Sequence, residues 1–241
     1  MAFASVASNL IPGDTNGLQD VFVYDRKTGI TRRVSVATDG SQANGTSVFF
    51  FNKFPAISSD GRFVAFSSLA SNLVTDDTNG TFDVFVHDRQ SGVTERVSVA
   101  TNGDEGSSYS SFPAMSADGR FIAFVSDAPN LVPGDTNGVD DLFLHDRQTK
   151  TTMRVASVNS QGNTIAFNPT ISADGRFVSF TSRGSDGGVG VYVYDKQTGV
   201  TQLLAPGGYK ATISADGHFV SFVSSFSLVP EDNNGDLNRT I

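Results

Sequence analysis

The chain has 241 residues, a formal net charge of −8, and neither cysteine nor tryptophan. That acidity argues against nucleic acid, whose phosphates need a basic face, and against anionic membrane surfaces. The lack of cysteine removes disulfides, thiolate metal sites and thiol nucleophiles. No apolar run approaches the roughly 18 residues that would insert into and span a bilayer, and no basic stretch followed by an apolar core marks a leader at the N-terminus.

In chain order, the first element is a short apolar strand at Met1-Ala2-Phe3-Ala4-Ser5, which reads as the second half of a motif that then recurs four times. Ser-x-Asp-Gly followed by an apolar run stands at Ser58-Ser59-Asp60-Gly61, Ser116-Ala117-Asp118-Gly119, Ser172-Ala173-Asp174-Gly175 and Ser214-Ala215-Asp216-Gly217. Steps of 58, 56 and 42 residues between the motif aspartates fall in the range of propellers, solenoids and arrays. A residue present in every copy serves folding before it serves chemistry.

The second copy is the cleanest. It offers a short strand at Phe54–Ser58, a Ser-Asp-Gly turn, and a strand at Arg62–Ser68. A polar loop carrying Asp77-Thr78-Asn79-Gly80 follows, then a strand at Asp83–His87, a tight turn at Asp88–Gly92 and a strand at Val93–Val99. Strands of five to seven residues split by Gly, Asp and Ser turns predict antiparallel hairpins. The third strand is apolar almost throughout, which predicts burial on both faces. Four such strands repeated about an axis describe a β-propeller. Pro55, Pro113 and Pro169 fall in first strands, where an edge facing a central channel tolerates the missing N–H. The expected fold is an all-β propeller of four-stranded blades over 1–53 (partial), 54–111, 112–167, 168–208 and 209–241 (partial), about five in all. The alternatives are a fragment of a larger ring and chains that complete each other as a homo-oligomer through their incomplete terminal blades.

Ser-x-Asp-Gly-Arg-Phe-Val-Ala-Phe-Ser-Ser, then Asp-Val-Phe-Val-x-Asp, then Arg-Val-Ser-Val resembles the TolB-type, WD-like β-propeller repeat of bacteria, over essentially the whole chain. The resemblance implies a bacterial fold used as a binding platform, an assembly module or the non-catalytic half of some peptidases. It places the parent protein in the periplasm or outside the cell. Residue 1 falls inside a repeat, so the expectation is a piece of a longer protein.

The loops between second and third strands carry Asp-x-Asn-Gly-x-x-Asp. The copies are Asp14, Asn16 and Asp20; Asp77, Asn79 and Asp83; Asp135, Asn137 and Asp141; and a degenerate Asp232, Asn234 and Asn238. Alternating Asp and Asn with a Gly where the chain doubles back suits calcium, which takes six to eight oxygens. The same residues also cap turns through their own backbone. Calcium is therefore expected alongside a purely structural reading, and a calcium-dependent rise in melting temperature separates the two. The strand directions put these loops on one face with the variable connections at 39–45, 102–109 and 159–163, where a protein or carbohydrate ligand is expected. Phe49, Phe50 and Phe51 form a candidate aromatic patch.

Signals for an enzyme are weak. Gly-x-Ser-x-Gly is absent from the sequence. His87 and His145 occupy a slot held by Tyr24 and Tyr194 in other copies, and His218 replaces a turn arginine. No two histidines have zinc spacing. Asp25-Arg26, Asp88-Arg89, Asp146-Arg147 and Asp195-Lys196 read as hairpin corners, closed by Gly29, Gly92 and Gly199. Lys150 stands where a glycine is expected, so that turn should be altered. The sequence favours a non-catalytic binding module. A metal-dependent phosphotriesterase or lactonase and a structural module of a larger secreted protein are the alternatives.

Overall fold

A computed structural model describes residues 1–48, 55–155, 166–183 and 187–226. The Phe49–Phe51 patch, the connection at 159–163 and the loop of Asp232 and Asn234 lie outside the described residues. The chain is all-β, with 17 strands among the described residues. In chain order they are β1 (Ala2–Ser5), β2 (Asp20–Asp25), β3 (Ile30–Arg33), β4 (Ala56–Ile57), β5 (Phe63–Ser68), β6 (Asp83–Asp88) and β7 (Thr94–Arg96). There follow β8 (Ser110–Met115), β9 (Phe121–Ser126), β10 (Asp141–Asp146), β11 (Thr151–Arg154), β12 (Ala166–Ile171), β13 (Phe177–Arg183), β14 (Val189–Asp195), β15 (Val200–Pro206), β16 (Gly208–Ile213) and β17 (Val220–Ser224).

These strands make three four-stranded antiparallel sheets, β4–β7, β8–β11 and β12–β15, each in sequence order. They are flanked by a three-stranded sheet β1-β2-β3 and a two-stranded sheet β16-β17. The first strands β4, β8, β12 and β16 pack in succession, as the innermost strands of propeller blades do.

Burial explains why the middle strands are apolar on both faces. Along β9, Ile122 and Phe124 join Ala65, Val84 and Val86 of the preceding blade, while Ala123 and Val125 join Val178, Phe180 and Tyr192 of the next. Each complete blade presents an aromatic pair to the blade before it: Phe66 with Phe85, tilted at 6.1 Å, and Phe124 with Phe143 and Phe180 with Tyr192, both stacked at 5.7 Å between centroids. The facing surface offers Ala, Val and, on the third blade, Leu142 and Leu144, so the aromatic rings fill the room smaller side chains leave.

The Ser-x-Asp-Gly turn joins blades as well as strands. Its serine hydroxyl donates to the motif aspartate (Ser58 Oγ to Asp60 Oδ1, 2.6 Å) and accepts the N–H of the phenylalanine that opens the next strand (Phe63, 2.9 Å). The x residues link turn to turn: the N–H of Ser59 donates to the carbonyl of Ala117, Ala117 to Ala173, and Ala173 to Ala215, at 2.8–3.0 Å. This staircase of backbone hydrogen bonds holds the four motif turns together.

Pro113 and Pro169 lie inside bulges. The ladder skips between Ser111 and Ala114 and between Phe167 and Thr170, and the preceding Phe112 and Asn168 have φ of 59° and 52°. The missing proline N–H thus falls where no ladder bond forms. Lys210 repeats the bulge before Ala211 with φ 54°.

Candidate functional site on the loop face

The acidic loops share one internal wiring. In the first blade, Asn16 Oδ1 accepts the N–H of Leu18 (3.0 Å), closing an Asx turn, and Asn16 Nδ2 donates to Asp20 Oδ2 (2.9 Å). Asp20 Oδ1 accepts the Ser35 hydroxyl at 2.6 Å. Arg33 reaches in from β3 and places Nη1 3.1 Å from both Asp14 Oδ1 and Asp20 Oδ2. The third blade repeats the pattern, with Asn137 on Asp141 (2.8 Å) and Arg154 Nη1 3.2 Å from Asp135 and 3.3 Å from Asp141.

In the second blade Asn79 and Ser98 hold the two oxygens of Asp83, and Arg96 is 3% exposed. Its Nη1 stands 2.6 Å from Glu105, 3.7 Å from Asp83 and 3.9 Å from Asp77. Glu105 occupies the position of Gln42 in the first blade, since both make the isolated bridge to the valine after the outer strand. Asp77, Asp83 and Glu105 bring one oxygen each to within 4.8 Å of one another, and Asp77 Oδ2 is buried without a hydrogen bond. Burial raises the Asp83 carboxyl to about 7, with the Ser98 hydroxyl and the Arg96 charge only partly opposing it. Burial also raises Asp77 and Asp141.

The structure therefore brings together the first, third and seventh residues of each described loop, and the cation they surround is a guanidinium. Arg33, Arg96 and Arg154 were not singled out from the sequence. Their signal was the fixed distance of 13 residues from the seventh-position aspartate to the arginine of the following strand.

His87 and His145 are buried. Each ring Nδ1 lies 2.9 Å from a threonine hydroxyl, Thr94 or Thr152, whose single proton goes to the carbonyl of Val36 or Val99 in the preceding blade's outer segment. The imidazole must then donate from Nδ1, which makes it a tie between blades. Burial lowers both histidines, His145 to about 4. His218 is exposed beside Asp216 at 3.3 Å. The hairpin corners form as expected, with Asp88, Asp146 and Asp195 accepting the amide two residues on. They also receive bidentate guanidinium bonds from Arg62, Arg120 and Arg176, which hold their carboxyls well below the usual range.

On the loop side a cleft of about 530 Å³ opens between the second and third blades. Leu131, Val132 and Pro133 contribute apolar surface, and Asn102 and Asn130 contribute amides to its lining. Both amides are fixed internally, Asn130 by Ser107 N–H and Glu105 O, and Asn102 by Asp104.

Stacked four-stranded blades with a staircase of motif turns at the inner strands define a β-propeller, and the fold is similar to that of TolB proteins. The chain is similar to TolB from Acinetobacter baumannii, with a TM-score of 0.57 at 21% identity over 91% of this chain and 44% of that one. It is similar to the putative TolB from Agrobacterium tumefaciens, with a TM-score of 0.54 at 18% identity over 86% of this chain and 67% of that one. An oligogalacturonate lyase solved with manganese gives a TM-score of 0.57 at 12% identity over 86% of this chain and 54% of that one. No protein-family model matches the sequence, and no curated protein matches it. The chain thus spans under half the length of the Acinetobacter TolB. These likenesses establish the fold.

Proposed function

We propose that this chain is a non-catalytic propeller module that binds a protein or carbohydrate partner through its loop face. The observation that carries the reading is the internal pairing of every repeated acidic loop that the structure describes. Asp14, Asp20, Asp83, Asp135 and Asp141 all face an arginine of their own blade, so the repeated charges stabilise blades. Binding then falls to the connections that differ between blades, where Asp39, Asn44, Asn102 and Asp104 are exposed, and to the cleft beside Asn102. An apolar surface with pre-set amides suits a sugar face or a short peptide. The extracytoplasmic location expected from the resemblance belongs to the same proposal.

Among the described loops, calcium narrows to that of the second blade, where Asp77, Asp83 and Glu105 converge. A divalent ion there competes with Arg96 for the same oxygens, so the native protein should gain little thermal stability from it.

The test is calorimetric titration with a defined set of soluble oligosaccharides and short peptides. Asn102→Trp fills the cleft, and Gln90→Trp is a control on the opposite face. Binding lost only in the first variant, with no turnover of lactones or phosphotriesters, supports the module. Chelator-sensitive turnover of either ester class overturns it in favour of a metal-dependent hydrolase.

A further inference from the structure

The groove between the second and third blades holds a carboxylate of the chain itself. Arg147, at the hairpin corner of the third blade, donates from Nη1 to the Gly119 carbonyl and from Nε to Glu95 Oε1, both at 2.6 Å. Glu95 reaches across from β7 of the second blade, and its other oxygen accepts Lys150 Nζ at 2.5 Å. The carboxylate therefore sits between two cations in a partly buried seat.

The groove between the first and second blades has the same seat with the opposite charge beside it. Arg89 repeats Arg147, and its Nη1 donates to the Gly61 carbonyl at 2.6 Å. Its Nε, however, is buried and has no hydrogen-bond acceptor. The strand register gives the reason. Val23 pairs with Arg32 as Val86 pairs with Glu95, so an exposed arginine stands in the place of the glutamate. The fold does not require a cation there, since Met153 and Gln202 hold the position in the third and fourth blades.

The other charges around this groove are engaged elsewhere. Arg62 gives its guanidinium to both oxygens of Asp88, and Asp60 accepts the Ser58 hydroxyl and the Arg62 N–H. Asp25 lies within the electrostatic reach of Arg89, but among the described residues no ion pair includes Arg89 or Arg32. A cleft of about 970 Å³ opens at this place, with Arg32, Gly61, Arg62, His87, Arg89 and Gln90 in its lining. A buried N–H without an acceptor is unfavourable, and so is a second guanidinium beside it. A bound anion relieves both.

We propose that this groove binds a carboxylate ligand, held by Arg89 Nε and the Arg32 guanidinium in the place that Glu95 fills one blade on. The repeat supplies the template: a planar, two-oxygen group between two cations, the geometry that guanidinium forks match. The site lies on the side of the motif turns, away from the loop-face cleft, and stands or fails separately from the binding-module reading. A free dicarboxylate and a glutamate side chain on a peptide offer the same chemistry.

Glutarate probes the free acid, and a triglutamate peptide with blocked ends probes the side chain. In isotopically labelled protein at constant ionic strength, the Arg89 Nε–H signal should shift saturably in NMR titrations with one or both. Binding of either supports the site, and the tighter of the two names the source. Arg32→Glu writes the second groove's pair into the first. It should weaken binding about tenfold or more and raise the melting temperature, because Arg89 gains an internal partner. Arg32→Met removes one cation at an exposed position, so it should keep the fold and also weaken binding. Asn102→Trp, on the loop face, should leave binding unchanged. The proposal is overturned if neither probe gives a saturable shift, or if both arginine variants bind as the native protein does. Sulfate competing as well as glutarate would also overturn it, since the groove would then hold an adventitious ion only.

Discussion

The α-carbon of Gly119 faces the ring of Phe63 so closely that a methyl group there would sit 2.4 Å from Phe63 Cδ2. Gly119 and Gly61 have φ of 74° and 75°, so an alanine at either incurs the same left-handed backbone cost, about 1–2 kcal/mol. Only Gly119 adds a collision with a ring held between the guanidinium groups of Arg62 and Arg147, worth about 1–3 kcal/mol more. Gly119→Ala should therefore destabilise the protein by about 2 kcal/mol more than Gly61→Ala in urea unfolding. Equal losses would show that the ring yields freely and that the contact contributes nothing.

Arg96 faces four carboxylates from a buried position, those of Asp76, Asp77, Asp83 and Glu105, and its removal leaves them without that cation. Arg96→Met should cost about 3–5 kcal/mol at neutral pH, as breaking a buried ion pair does. The pH dependence has a definite sign. Asp83 is raised to about 7 in the folded chain, so its contribution is fully present below the unfolded value near 3.8 and is lost as pH rises through about 7. Melts of the variant should recover on moving from pH 7.5 to 5. Millimolar calcium should raise the variant's melting temperature more than the native protein's, and equal shifts would remove the competition between Arg96 and calcium.

Much of this was legible in the sequence, and the limit is physical. Short strands, Asp-Gly turns and doubly apolar third strands are local signals, and each appears in the fold. Lys150 broke the turn pattern and does adopt φ 58°. The acidic loops were legible as loops, but their cation was not. An aspartate reads as a metal ligand until the guanidinium 13 residues on is seen beside it, and strand pairing brings the two together. The contact of Phe63 with Gly119 was hidden for a related reason: the two belong to different copies of one motif. A repeat read as a unit gives no sign that half its meaning is the next unit.

His145 is buried, and burial lowers it to about 4. The unfolded chain takes up the same proton near 6.5. The stability owed to neutral His145 is complete above pH 6.5 and drains away as pH falls to about 4, on the order of 3 kcal/mol in all. His145→Tyr, the residue Tyr194 supplies in the next blade, removes that titration. The stability difference between native protein and variant should shift in the variant's favour from pH 7 to 4.5. A constant difference across that range would show that His145 stays neutral, or charged, in both states.

Lys150 closes the hairpin between β10 and β11 at a position where Gly29, Gly92 and Gly199 take φ of 71°, 78° and 72°. A lysine held at φ 58° is strained by about 1–2 kcal/mol, while glycine adds unfolded-state entropy of about 0.5–1 kcal/mol. Against the change stands the ion pair between Lys150 Nζ and Glu95 Oε2, but Lys150 is 62% exposed, and Arg147 holds the other oxygen of Glu95 at 2.6 Å. Exposed pairs contribute little, so relief of strain should win by up to about 1 kcal/mol. Lys150→Gly should raise the urea midpoint at unchanged slope. A fall would mean that the Glu95 pair outweighs the turn, and Lys150→Asn, which keeps the left-handed preference without the charge, should then fall as well.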